Sequence, residues 1–294
     1  MSPTFAPYSG LNLRSAKRFL AAQFRGAGLP FAEEDALDLV LGLTDMDRAA
    51  YAARGTEFIS TDALDALRDA AGRRLAGEPV DRILGYRDFY GRRFAIEGVL
   101  SPRGDTEVLL LAALDAIRDV EHPHVLELGT GSGALAVSIV SESTGARVTA
   151  TDTSADALRT ARANARTHDA EGRLRLMEAD WWAGVDGSFD AVISNPPYIT
   201  DAAMRDLPAE VAGYDPDIAL RGGSDGLDAY RVIVPGAAAH LSPEGWLGVE
   251  IGFDQAKAVS AMFRKAGFVD VRLQRDPAGL PRVVQGRRAA SCPV

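Results

Sequence analysis

The chain has 294 residues, enough for about two domains. Its 47% hydrophobic and 25% charged residues are those of a globular protein with a sizeable core, and no stretch approaches the roughly 20 apolar residues that span a bilayer. A formal net charge of -9 argues against a general nucleic-acid binder, whose affinity comes from basic side chains on phosphates, so neither a stable nucleic-acid partner nor a membrane is expected.

The charge balance leans instead toward a small-molecule substrate or a protein with a basic face. Cys292 is the single cysteine. With no bridge possible within the chain, a reducing, cytoplasmic setting is expected, and a monomer. His122, His124, His168 and His240 have no metal-ligand spacing, so no metal is expected.

In chain order, the first segment carries Arg14, Lys17, Arg18 and Arg25 and no acid before Glu33, a pattern shared with transit peptides. Leu13, Ala16, Leu20 and Phe24 nevertheless recur at helical spacing, and the reading is an amphipathic helix of the folded protein. Further helices are predicted over Ala32–Leu43, with Glu33 to Asp35 in the first turn, and over Asp62–Leu75. Tyr86, Phe89, Tyr90, Phe94 and Ile96 around Gly91 predict a β-hairpin. The domains expected are therefore a helical region 1–84, a hairpin linker 85–104 and an α/β domain 105–294.

From Val125 the pattern alternates. Strands are predicted at Val125–Leu128, Arg147–Thr151, Leu174–Glu178, Phe189–Ser194, Trp246–Ile251, Val269–Gln274 and Arg282–Gln285. Helices fall at Ala134–Val140, Ala155–Thr167 (with Ser154 as N-cap), Leu227–His240 and Gln255–Ala266. This implies a mostly parallel sheet with helices on both faces, one of the last two strands running antiparallel.

Two motifs carry chemistry. Gly129, Thr130, Gly131, Ser132 and Gly133 follow the first strand of the alternating region and open a helix. Such a turn brings backbone N–H groups and the positive helix end close to a ligand. Asp152 ends the next strand, where an acid reaches a ribose diol. The loop also fits a dinucleotide fingerprint and does not choose between nucleotide ligands.

The second motif, Asn195-Pro196-Pro197-Tyr198, ends an apolar strand of the same sheet. An amide or exocyclic amine nitrogen is a poor nucleophile because its lone pair is delocalised. Asn195 Oδ1 and the Pro196 carbonyl can accept its two N–H groups and draw density onto nitrogen, while Tyr198 offers a flat face for a planar group. With an activated sulfonium methyl donor, positioning supplies much of the rate.

Gly222-Gly223-Ser224-Asp225-Gly226 matches the nucleophile elbow of hydrolases, but no good strand precedes it and only His240 follows. Trp181 and Trp182 also fit ordinary core positions.

With these residues the chain resembles the PrmC/HemK family, N5-glutamine methyltransferases of peptide chain release factors. Beyond E-L-G-T-G-S-G, Asp152, Asp180-Trp181 and N-P-P-Y, the resemblance rests on G-E-P-V-D-R-I-L-G-Y-R-D-F-Y-G, E-V-A-G-Y-D-P-D-I-A-L-R-G-G-S-D-G-L-D-A-Y-R and A-G-L-P-R-V-V-Q-G-R. It implies a class I, Rossmann-like methyltransferase fold with a seven-stranded sheet, and a helical N-terminal domain that helps recognise the substrate.

The resemblance further implies that S-adenosylmethionine, leaving as S-adenosylhomocysteine, sits at Gly129 to Gly133, Asp152, Trp181 and Asn195. Asn195, Pro196, Pro197 and Tyr198 would hold the glutamine of a class 1 release factor's Gly-Gly-Gln tip. Alternatives are a ribosomal-protein glutamine, an exocyclic nitrogen of adenine or guanine, or an inactive ribosome- or RNA-binding module. One departure stands at Gly104, where the family's P-R-P-D-T-E becomes Pro102-Arg103-Gly104-Asp105-Thr106-Glu107; glycine there is expected to loosen the loop.

Overall fold

The structure, a computed structural model, describes residues 10–290; Cys292 lies outside them. The chain divides into two compact units, Met1–Gly85 and Tyr86–Val294, and the hairpin falls in the second.

The first unit is helical: α1 (Leu13–Gly26), α2 (Ala32–Leu43), α3 (Arg48–Arg54), α4 (Thr61–Leu75) and α5 (Val80–Leu84). The Asn12 side chain caps α1 by accepting the Ser15 N–H, and the expected stripe Leu13, Ala16, Leu20 and Phe24 is buried. It packs with Ala36, Leu39 and Val40 of α2 and Leu67 and Ala71 of α4. The two helices the sequence does not announce, α3 and α5, are 7 and 5 residues long, too short to show a period. Within this core the Arg74 side chain, only 3% exposed, bonds Asp35 Oδ2 through Nε at 2.8 Å.

In the second unit β1 (Tyr86–Phe89) and β2 (Arg92–Ala95) form the expected antiparallel hairpin. The elements that follow are α6 (Glu107–Ala116), β3 (His124–Leu128), α7 (Ala134–Glu142), β4 (Arg147–Asp152), α8 (Ala155–Thr167), β5 (Leu174–Glu178) and β6 (Phe189–Ser194). After two short helices, α9 (Ala209–Ala212) and α10 (Asp217–Leu220), come α11 (Asp228–His240), β7 (Leu241–Glu250), α12 (Ala256–Lys265), β8 (Phe268–Arg275) and β9 (Pro281–Arg288). Helix α6 escapes a periodicity reading because E-V-L-L-L-A-A-L-D-A is apolar almost all round. Strand β7 begins earlier than expected: Pro243 and Gly245 break the alternation, yet Leu241 still pairs with Phe189 across a register shift.

The seven-stranded sheet has the order β5-β4-β3-β6-β7-β9-β8, parallel except for β9, which runs antiparallel to both neighbours. Side chains alternate between two cores. Val125, Ala191 and Ile193 face α6 and α7, whereas Leu126, Leu128 and Val192 face α11 and α12. Burial on both faces explains why the central strands read as continuous apolar runs. No helix among the described residues is long and apolar enough to cross a membrane.

The buried Arg74–Asp35 pair yields a stability prediction. Asp35→Ala should remove the acceptor of the buried Nε–H, while Nη1 still donates to the Glu78 carbonyl, and destabilise the helical unit by about 2 kcal/mol, the cost of losing one hydrogen bond to a buried charged group. Urea unfolding followed by circular dichroism checks this; an unchanged midpoint would remove the pair from the stability account.

Candidate active site

The site grows out of one pairing. Strands β3 and β6 are parallel neighbours with Leu128 opposite Ser194, and the Ser194 hydroxyl donates to the Leu128 carbonyl at 2.7 Å. Gly129 and Asn195 therefore leave the sheet side by side, at the carboxyl ends of the strands where the chain order reverses. Since Leu128 is also opposite Thr151, Asp152 ends β4 at the same level.

The glycine turn is held from below. The Gly129 and Thr130 N–H groups both donate to the Thr151 carbonyl, at 2.9 and 2.8 Å. One Asp152 oxygen accepts the Gly131 N–H and the other the Ser154 N–H, each at 2.9 Å. Each oxygen keeps a lone pair for a further donor, as a ribose diol requires. Gly129 and Gly131 have φ of 74° and 54°, and a Cβ at either position would meet nothing within 4 Å. The turn is thus a left-handed backbone cradle open on its outer side, which suits close approach of a nucleoside ligand.

Beneath the turn lies Glu127, 2% exposed. Burial pushes its carboxyl up to about 8, against the pull of the Thr130 hydroxyl and the Ala136 N–H and with a push from Asp152. Thr130 Oγ1 donates to Glu127 Oε2 at 2.7 Å. Asn164 of α8 bridges the turn to the hairpin: Nδ2 donates to the Ser132 and Ala95 carbonyls at 2.8 and 2.9 Å, and Oδ1 accepts the Ala95 N–H at 2.8 Å.

At the Asn195–Tyr198 loop, Asn195 Nδ2 donates to Thr106 Oγ1 at 3.2 Å. That contact turns Oδ1 away from Thr106, and neither Oδ1 nor the Pro196 carbonyl accepts a hydrogen bond among the described residues. The Tyr198 carbonyl accepts from Gln255 Nε2 at 3.0 Å, and burial raises its phenol well above the usual range. Close approach also shapes this loop: a Cβ on Gly222 would lie 2.7 Å from Tyr198 Cα and 2.9 Å from the Pro197 carbonyl. The glycines of the hydrolase-like motif thus serve as packing for the Asn195–Tyr198 loop. Both His240 ring nitrogens face carbonyls, of Gly236 and Val185, and its ring stacks on Trp182, so it forms no serine–histidine pair.

Trp181 is half-buried with φ of 49°, an unusual conformation for an aromatic residue and a mark of a constrained position. The loop 102–107, expected to be loose, is pinned at four side chains. Arg103 pairs with Asp215 at 2.7 Å and Asp105 with Arg282 at 2.8 Å, Thr106 receives Asn195, and Glu107 accepts the Tyr90 N–H at 3.0 Å.

Sequence reasoning missed Glu127, Asn164, Thr106 and Glu250. For Glu127, Asn164 and Glu250 the available signal was an ionisable or amide group inside an otherwise apolar strand or buried helix stripe; Thr106, a hydroxyl in the turn before α6, carried none. Among the described residues no group of three or more His, Cys, Asp or Glu side chains gathers to hold a metal.

Comparison with known proteins agrees along the chain. Residues 104–210 match the family profile described as "Methyltransferase small domain", and residues 15–85 the "PrmC N-terminal domain". A release factor glutamine methyltransferase of Bradyrhizobium diazoefficiens is 39% identical over 96% of this chain and 97% of its own length. Another, of Burkholderia pseudomallei, is 47% identical over 73% of this chain and 78% of its own. The solved catalytic domain of hMettl16 in complex with a MAT2A 3'UTR hairpin shares the fold, with a TM-score of 0.56 and 12% identity over 78% of this chain and 84% of that one.

Two predictions arise from the site. In the unfolded chain Glu127 ionises near 4.5, while the folded state keeps its proton to about 8. Between those values the folded state binds more protons, so stability falls as pH rises, by up to about 1.4 kcal/mol per pH unit. Thermal melts from pH 5 to 8.5 should show Glu127→Gln losing less stability across this window than the parent; parallel curves would contradict the assignment. At Gly104 a Cβ would meet nothing within 4 Å and Arg103 is already extended (φ -103°, ψ 147°), both compatible with proline. Gly104→Pro should therefore stabilise the fold by about 0.5–1 kcal/mol, read as a rise in Tm.

Proposed function

The chain belongs to the release factor glutamine methyltransferase family, and we propose that it moves a methyl group from S-adenosylmethionine to the side-chain amide nitrogen (N5) of the glutamine in the Gly-Gly-Gln tip of class 1 peptide chain release factors. The observation that carries this reading is the pair of open acceptors, Asn195 Oδ1 and the Pro196 carbonyl, on the loop beside the glycine turn.

The residues present fit the donor. Gly129 to Gly133 supply a backbone turn that is open at Gly129 and Gly131 to close approach of a ligand, Asp152 a carboxylate for the ribose hydroxyls, and Trp181 an aromatic wall. When bound, the donor supplies a methyl group on a positively charged sulfur, an electrophile that needs no further activation.

The chain's own contribution is to the acceptor. Asn195 Oδ1 and the Pro196 carbonyl accept the two amide N–H groups, hold the nitrogen in place and oppose delocalisation of its lone pair. Pro196 brings a carbonyl with no N–H of its own to compete. Tyr198, with Pro197 beside it, bounds the acceptor slot, and Gln255 secures the Tyr198 backbone. Fixing the nitrogen in line with the methyl carbon, rather than acid–base chemistry, supplies much of the rate.

Incubation with donor and release factor should add the mass of one methyl to the tip glutamine and nothing to a Gln→Ala tip variant. Label arriving only in DNA or in a ribosomal protein would reject the substrate assignment. Asn195→Ala should lower turnover by more than about a hundredfold, as loss of one preorganised polar contact does. Donor affinity in that variant should move less than about threefold by calorimetry; near-normal turnover would overturn the mechanism.

A further inference from the structure

The hairpin is clipped to α8 by a side-chain ladder that the proposed chemistry does not use. Successive backbone groups of a strand point alternately to its two sides, and β1 occupies one side of β2. Arg93, Ala95 and Glu97 present their groups to the other side, toward α8. Thr160 Oγ1 donates to the Glu97 carbonyl at 2.7 Å and Asn164 Nδ2 to the Ala95 carbonyl at 2.9 Å, while His168 Nε2 lies 2.7 Å from the Arg93 carbonyl. Asn164 Oδ1 also accepts the Ala95 N–H at 2.8 Å, so the amide pairs with Ala95 as a neighbouring strand would.

The spacing explains the match. Four residues of α-helix rise about 6 Å, and two residues of strand about 6.6 Å. Side chains at Thr160, Asn164 and His168 therefore keep step with alternate strand residues, running in the opposite direction. Apolar contacts hold the two together: the Phe94 and His168 rings lie 5.0 Å apart, and Ile96 and Val99 bury against Ala157.

Only the middle rung reaches further. The second Asn164 Nδ2 proton goes to the Ser132 carbonyl, at 2.8 Å, inside the glycine turn. Asn164 is 2% exposed, and its amide has one orientation available, since turned over its oxygen would face two carbonyls. Beside Ser132, Gly133 presses on α8, where an added Cβ would lie 3.1 Å from the Ala161 Cβ. The β4 end thus fixes the turn at Gly129, Thr130 and Gly131, and α8 fixes it at Ser132.

We propose that Asn164 is a positioning residue for the methyl donor, locking the Ser132 end of the glycine turn to the docked hairpin. The proposal rests on the reading of Gly129 to Gly133 as the donor site. A donor on the open side of the turn meets a backbone held at both ends, and donor affinity depends on this one amide. The dependence is reciprocal: what the Asn164–Ser132 bond contributes to donor binding, donor binding returns to that bond. The same amide passes it on to the Ala95 N–H, so a bound donor steadies the hairpin.

The test uses the full chain with S-adenosylmethionine or S-adenosylhomocysteine. Asn164→Asp keeps the shape and the acceptor for Ala95 but sets oxygen against both carbonyls. Its donor Kd by calorimetry should rise more than about thirtyfold, in the range of losing hydrogen bonds at a buried site. With release factor, the loss should fall on KM for the donor, with kcat at saturating donor lowered less than about threefold. A chain that was merely less stable would lose kcat and keep KM. Thr160→Val removes a neighbouring rung without touching the turn, and should raise Kd less than about threefold. In the parent, hydrogen exchange of the Ala95 N–H, followed by NMR, should slow at least about fivefold on saturation with S-adenosylhomocysteine. A parent-like Kd in Asn164→Asp, or equal weakening in Thr160→Val, overturns the proposal. Ala95 exchange indifferent to the donor overturns it even where Asn164→Asp misfolds. If the parent binds neither compound, the donor reading itself fails; if the parent binds and Asn164→Asp binds as well, only the positioning role does.

Discussion

The pairing of β3 with β6 is the constraint on which the site depends. Parallel strands in register place residues that end them at one height, and the Ser194–Leu128 hydrogen bond closes the last step of that register. A slip of one residue would send Ser194 to the opposite face and carry the Asn195 loop away from the glycine turn. Both faces of these strands are buried, so a slip would also drive Val192 and Ile193 each into the opposite core, and the register is held by the packing of both. The placement that methyl transfer requires is thus derived from sheet packing.

Around this edge the chain spends stability on buried polar groups. Glu127 and Glu250 end or nearly end central strands, both are fully buried, and burial raises both above the ordinary carboxyl range. Replacing each with an apolar residue of like shape would favour folding. They stand instead at the carboxyl ends of the strands, one preceding the glycine turn and the other beside the strand that leads into the Asn195 loop. Carboxyl ionisation displaced at one sheet edge, and not dispersed through the core, coincides with the rim where the two motifs meet.

The loops are rigid for a different reason. Gly104 relaxes the backbone of the segment before α6, but Arg103, Asp105, Thr106 and Glu107 each tie it to a separate part of the second unit. Gln255 does the same for the Asn195 loop, holding the Tyr198 and Gly226 carbonyls with one amide and accepting the Gly252 N–H with the other end. Side-chain tethers substitute for local stiffness, which is why a departure in one backbone residue leaves the arrangement whole.

What the sequence determined by itself was whatever depends on neighbours along the chain. The stripe of Leu13, Ala16, Leu20 and Phe24, the turn at Gly91, the Ser154 cap and the apolar strands all declare themselves through period and turn chemistry, as do the two motifs at strand ends. Uniformly apolar α6 and the short α3 and α5 do not, because a period needs length and contrast. The strand order, with β9 inserted between β7 and β8, and the partners of Thr106, Asn164, Gln255 and Glu250 were decided only in three dimensions. Thr106 and Asn195 are 89 residues apart, and Gln255 reaches the Tyr198 carbonyl across 57. No local pattern encodes such a meeting, since the direction of a hydrogen bond between distant side chains is set by the sheet register that brings them together.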